Sequence, residues 1–412
     1  MRFGDQKMKI SKKAQNAILL GVLCSIAYLA VYFARNVLSA VAAQMKENGD
    51  FTGETIGVLL AAFSVFYAFG QLINGWLGDK LKARYMISLG LVLAGVTNAV
   101  YPFVAYMNYV SIIVYGITGF FLSFIYGPMT KVVSENTELI HATRCSLGYT
   151  FASFFGSPLA GVVAMMVSWQ WAFGISSISL IVMGLVCFTS FLMLEKRGII
   201  KYNQFSAKQA QEKAGIKALV CEHQLVRFSL VSMITGIIRT SLVGFFTLYF
   251  AEHLSFTETE AEGMFSITTI AISAAAFLAI FIYERIGRNM NLSLILWFSF
   301  AALGFGSLIF ITNKTANIVV LVLSVLASNA AATVLWSIYC PSLYKTGMVS
   351  TITGFLDFLS YMAAAAANLI FPYLVVDEDW TRVIIVCFVL MVIAFVISLP
   401  MGIFFKRKER AV

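Results

Sequence analysis

Twelve times along this chain, a run of roughly 20 or more mostly apolar residues is followed by a short polar break. The runs fall at 17–43, 54–77, 84–104, 109–131, 143–166, 170–194, 226–251, 260–283, 290–311, 316–340, 348–373 and 380–405. Lipid hydrocarbon is about 30 Å thick, which takes about 20 residues of helix, and a helix satisfies its own backbone polar groups there. The pattern predicts an all-α membrane protein of twelve transmembrane helices. Charged residues make up only 12% of the chain, about half of what a soluble surface carries. The basic stretch before the first run resembles a secretory signal. The run is too long and lacks a small-residue exit, so it reads as an uncleaved first span.

Orientation follows from the basic residues. With the N-terminus inside, 24 of the 29 Lys and Arg lie on the cytoplasmic side. Only Lys46, Lys314 and Arg382 lie outside, while Arg35 and Arg239 fall within spans. Both termini are therefore expected in the cytoplasm of a cell, with a bacterial inner membrane as the setting. The net charge of +9 is a topology signal and no evidence for a nucleic-acid partner. The long polar stretch after the sixth run divides the chain into an N-terminal bundle (1–194), a cytoplasmic linker (195–225) and a C-terminal bundle (226–412). The halves echo each other: "FARNVL" aligns with "IIRTSL" and "LGYTF" with "TGFLD", at offsets of 204 and 206 residues. A duplicated six-helix unit is a known transporter plan, with the site at the midplane between halves.

Arg35 is the most informative single residue. It lies mid-span with no acid within ten residues on either side, and a charge there costs about 2.5–3.5 kcal/mol even on lenient insertion scales. Its counterpart Arg239 lies at the matching place in the second half. Two planar forks, each with five donors, suit a carboxylate or phosphate held between the halves. Asp357 reads as the one acid well inside a span, and three roles are open to it: counter-ion of Arg239, proton-coupling group or contact for a substrate cation. Asn74, Thr150, Asn329 and Asn368 read as interhelical hydrogen-bonding groups. Glu252 and His253, at the outer end of the seventh run, read as solvated. The six cysteines and three histidines have no metal-ligand spacing, there is no nucleophile–base constellation, and no phosphate-binding G-x-x-x-x-G-K-[ST] pattern occurs. No cofactor, metal or enzymatic activity is expected.

At the end of the second run, "GWLGDKLKAR" resembles the loop signature G-x-x-x-D-[RK]-x-G-[RK]-[RK] of the major facilitator superfamily. Gly75, Asp79, Lys80 and Arg84 match; Lys82 and Ala83 depart from it. In such a motif the acid latches the cytoplasmic gate. More narrowly, the chain resembles the organophosphate:phosphate antiporters of the glycerol-3-phosphate transporter type. The resemblance assigns Arg35 and Arg239 to the substrate phosphate and carries over Tyr28 and Tyr32, with Asn36 adjacent. "GFLDFLSYM" carries over Tyr361. It also marks Gln71 and Ser153, which replace a usual lysine and histidine, and Gly236, which replaces a tyrosine. The resemblance implies a monomeric secondary transporter exchanging a phosphoester or phosphate by alternating access. Three other readings stay open: a proton-coupled carboxylate symporter, a multidrug or organic-cation exporter, and a phosphoester sensor that does not transport. The short termini and modest linker offer a sensor no obvious output domain.

Overall fold

A computed structural model describes residues 12–49, 51–137, 139–202, 223–343 and 349–399. The first half contributes α1 (Lys12–Glu47), α2 (Gly53–Lys80), α3 (Ala83–Val104), α4 (Asn108–Leu122, resuming as Tyr126–Asn136), α5 (Leu139–Met166) and α6 (Trp169–Lys196). After the linker come α7 (Leu225–Gly236, continued through π-turns at Ile237–Leu242 and Tyr249–His253) and α8 (Glu258–Ser273, resuming as Ala275–Arg285). These are followed by α9 (Met290–Leu308), α10 (Lys314–Val334, with a π-turn at Leu335–Tyr339), α11 (Val349–Leu374) and α12 (Thr381–Ser398). Among the described residues there is no strand, only an isolated bridge between Val376 and Asp379. Among the described residues eleven helical segments are long and apolar enough to cross a membrane, and α5 adds a shorter apolar stretch, Phe154–Met166. Most of the linker lies outside the described residues.

Three departures from the sequence pattern have physical causes. At 36 residues, α1 measures about 54 Å, so it runs beyond the hydrocarbon at both ends. The fourth run, continuous in hydropathy, is broken between Leu122 and Tyr126. There the Ser123 hydroxyl donates 2.7 Å to the Phe120 carbonyl and also accepts from Asn74, so it competes with the helix ladder. The seventh and tenth runs carry π-turns, which hydropathy does not register.

Within the first half α1 packs on α5 and α6, and α3 on α4 and α6; within the second, α7 packs on α11 and α9 on α10 and α12. Two seams join the halves: α2 against α11, and α5 against α8. Glycine makes both possible. A Cβ on Gly57 of α2 would collide with the Asn368 carbonyl and Pro372 of α11, and one on Gly161 of α5 with Ser266 and the Glu262 carbonyl of α8. In the second seam the Ser266 hydroxyl donates to the Pro158 carbonyl at 3.0 Å. Asn368 donates to Ser64 across the first, at 3.4 Å.

One end of the molecule is sealed between halves. Lys46 of α1 donates to Glu252 of α7 at 2.7 Å, the other Glu252 oxygen accepts from the Trp380 indole at 2.7 Å, and the Thr247 hydroxyl donates to the Ser39 carbonyl at 2.7 Å. Glu252 is thus a buried partner, its side chain only 7% exposed, and the solvated role read from its position is corrected. Beside it, burial holds His253 below its ordinary range, more than the nearby Asp379 carboxylate raises it. Asp379 itself is held low, chiefly by the Thr381 hydroxyl. At the opposite end Arg84 donates to Glu195 at 2.7 Å and to the Tyr85 hydroxyl at 2.7 Å, while Tyr202 donates to the second Glu195 oxygen at 2.7 Å. Buried Arg227 secures the end of α12 by donating to the Ile397 and Ser398 carbonyls, and it also binds Asn291 and Gln224. Cations favour a helix C-terminus.

Arg227→Ala should therefore cost about 2–4 kcal/mol by orphaning buried acceptors, seen as a clear fall in Tm of the purified protein. Glu252→Gln removes the charge holding Lys46; thiol labelling of Ser39→Cys, slow in the sealed form, should accelerate in that background. The unfolded chain takes up a proton on His253 before the folded chain does, so this region loses stability as pH falls below about 6.5. His253→Gln should flatten the decline of Tm between about pH 7 and 5.5.

Candidate functional site

Tyr28, Tyr32, Arg35 and Asn36 recur at helical spacing along one side of α1. The Arg35 guanidinium lies 5.2 Å from the Tyr361 ring centroid, 5.4 Å from Tyr67 and 5.9 Å from Tyr32. Tyr67 and Tyr361 face each other at 4.6 Å, Tyr28 meets Tyr32 edge-on at 5.0 Å, and Tyr126 lies 5.4 Å from Tyr28. Three helices, α1, α2 and α11, thus wrap the cation in aromatic faces, each contact contributing about 0.5–2 kcal/mol. Among the described residues Arg35 has no acid within ion-pairing distance. Its aromatic cage offsets the cost of the charge and leaves the donors of the fork free for a ligand.

Arg239 lies in the first π-turn of α7 and reaches the opposite side of the same centre. Its Nη2 stands 3.9 Å from Asp357 Oδ1, beyond the 2.7–3.2 Å of a hydrogen bond, and Nη2 has no hydrogen-bond partner. The Trp336 ring, in the π-turn of α10, lies 5.9 Å from the guanidinium. The Arg239 and Asp357 side chains remain 32% and 24% exposed although both sit deep in their helices, so the centre is reached by solvent. Arg35 and Arg239 share the wall of one cavity of about 40 Å³, lined further by Ser39, Ser64 and Asn368. It lies toward the sealed end and has room for little more than water. Gly236, where the resemblance has a tyrosine, abuts Ser360 so closely that a Cβ would collide with it. A tyrosine there is excluded by the approach of α7 to α11.

The structure brings Arg35, Tyr28, Tyr32, Tyr361, Arg239 and Asp357 into one cluster. Asn36 is adjacent but engaged: its amide donates to the Tyr32 carbonyl at 2.7 Å and to Ser157 of α5 at 3.0 Å. Gln71 lies one turn beyond Tyr67 on α2 and is half-buried. The side chain of Ser153 lies outside the described residues, as do Gly75, Asp79 and Lys80 of the loop motif beyond their helical backbone. Arg84 of that motif engages Glu195 of its own half. The structure adds Tyr67, Tyr126 and Trp336, which the sequence alone does not single out. Tyr67 was within reach, since it precedes Gln71 by one turn, but Trp336 is placed by a π-turn that leaves no trace in composition. Nor is Asp357 the only deep acid. Glu262 in the α5–α8 seam is 1% exposed, and its Oε1 has no hydrogen-bond partner.

Comparison with known proteins agrees with this architecture. The chain is 26% identical over 181 residues to the glycerol-3-phosphate transporter of Bacillus subtilis (strain 168), a match covering 42% of this chain and 40% of that protein. It is 21% identical over 262 residues to the membrane sensor protein UhpC of Salmonella typhimurium, covering 59% of each. The matches thus span between two fifths and three fifths of those relatives. The crystal structure of a D-xylose-proton symporter superposes with a TM-score of 0.74 at 14% identity, covering 93% of this chain and 97% of that one. The description of the Major Facilitator Superfamily matches residues 24–368. With apolar helices of membrane-spanning length, paired seams between halves and a solvent-reached centre at mid-depth, the chain belongs to the Major Facilitator Superfamily of membrane transporters.

Proposed function

We propose that this transporter carries a small organic anion, a phosphoester or phosphate in the first instance, by alternating-access exchange at the Arg35/Arg239 centre. In this reading twelve spans form two six-helix bundles, both termini are cytoplasmic, and the sealed Lys46–Glu252 end faces outward from a bacterial inner membrane. The observation that carries the reading is Arg35: a guanidinium at mid-depth, caged by three tyrosines and without an acid partner among the described residues. A bound anion offsets this charge, and the α1, α2, α7 and α11 walls then close over the load. An empty site keeps its charge and resists occlusion, so influx is coupled to efflux. Tyr28, Tyr32, Tyr67 and Tyr361 supply hydroxyl donors and the aromatic frame that orients the fork. The match to a glycerol-3-phosphate transporter supports an anionic ligand. The match to a membrane sensor keeps open a role in which this centre binds without flux.

Counterflow in proteoliposomes preloaded with phosphate tests the reading. Labelled phosphate or glycerol-3-phosphate should accumulate only against a trapped anion. Arg35→Lys, which keeps the charge but loses the planar fork, should lower the rate by about 100-fold, roughly 2.7 kcal/mol. Binding without flux in wild type would favour the sensor, and neither binding nor flux of any anion would reject the site.

A further inference from the structure

Resting on that anion-site reading, we infer that the centre is built for a load of one net negative charge. Such a load presents a carboxylate, a sulfonate or a phosphodiester, in preference to a doubly ionised phosphate monoester. Three formal charges meet at the centre among the described residues. Arg35 is unpaired, and Arg239 and Asp357 stand 3.9 Å apart. Their sum is one positive charge. A singly charged anion leaves the occluded site neutral, whereas a dianion leaves one charge to be sealed away from water, and leftover charge is costly in a dehydrated interior.

Geometry gives Asp357 a direct part in that selection. Its carboxylate approaches the same Arg239 nitrogen, Nη2, that is left without a hydrogen-bond partner. An anion oxygen that takes up this nitrogen lies no more than about 7 Å from Asp357. Two like charges about 4–7 Å apart repel by about 2–4 kcal/mol at an effective dielectric of 20. One negative charge centred on Arg35 avoids this, and a second, extended toward Arg239, does not. The long Arg239–Asp357 separation leaves the pair unlocked, so Asp357 adjusts the charge of the site without withdrawing Arg239 from it. The remaining polar reach comes from uncharged hydroxyls: Tyr32, Tyr67 and Tyr361 surround the Arg35 fork. These suit the neutral hydroxyl groups of a polyol or sugar acid.

The test uses two pairs of probes that differ in charge: dimethyl phosphate against methyl phosphate, and glucuronate against glucose 6-phosphate. Each is titrated at pH 8, where a phosphate monoester, with its second pKa near 6, is doubly ionised. Binding to the purified full-length protein is read from tryptophan fluorescence, with Trp336 beside Arg239 as the reporter. Wild type should bind the monoanion of each pair at least tenfold tighter. Asp357→Asn should reverse the order by tenfold or more, and Asp357→Glu should keep it. Wild-type preference for the dianion, or an order unchanged by Asp357→Asn in folded protein, overturns this inference and leaves the anion site standing. Failure of all four probes to bind wild type overturns both.

Discussion

An arginine that its own helix can neither neutralise nor hydrate governs this molecule. Arg35 sits mid-helix in α1, and three helices turn aromatic faces to it: Tyr32 from α1, Tyr67 from α2 and Tyr361 from α11. Rings lower the cost of burying the cation without cancelling its charge. A carboxylate at hydrogen-bond distance would have made Arg35 a structural residue. The aromatic cage holds the guanidinium in place while keeping it receptive, as a carrier needs, because the ligand must come and go.

Elsewhere the two halves of the chain meet along close-packed seams. The α2–α11 and α5–α8 seams are lined by glycines and small hydroxyl residues where backbones pass closest. The strong charge-assisted contacts gather at the molecule's ends. Lys46–Glu252 joins the halves at one end, while Arg84–Glu195 and Arg227 with the α12 terminus secure structure within each half at the other. Smooth seams with few directional bonds thus lie between a charged contact that joins the halves at one end and charged contacts within each half at the other.

Much of this was legible in the sequence because the bilayer imposes a simple rule on it. Spans follow from hydropathy and the paired arginines from the internal repeat, whereas Tyr28 and Tyr32 are marked only by the resemblance to the organophosphate:phosphate antiporters. The single acid Asp357 was visible too, and of the roles open to it the structure places it opposite Arg239, at a distance too long for a hydrogen bond. Tyr67 and Tyr126 were hidden among 17 tyrosines that composition cannot rank. The sequence does not reveal the partner of Glu252, because Lys46 lies 206 residues away, and only the folded chain brings the Trp380 indole onto the same carboxylate. Glu262 was overlooked because it lies only one turn from the end of its helix, where an acid normally meets water; the close approach of α5 at Gly161 buries it.

The π-turns in α7 and α10 bear on more than local shape. A π-turn is a helix with one residue inserted, and one residue is about 100° of rotation. Everything beyond Ile237–Leu242 on α7 is therefore turned relative to the helix before it, including Thr247 and Glu252, which meet Ser39 and Lys46. Together with the second π-turn, Tyr249–His253, which carries Glu252 itself, this turn phases the centre and the sealed end to each other. Were that turn to relax into regular α-helix, Arg239 and Glu252 could not both keep their present bearings. The helix would act as a crankshaft, with rotation at the binding level delivered as lateral displacement at the sealed end.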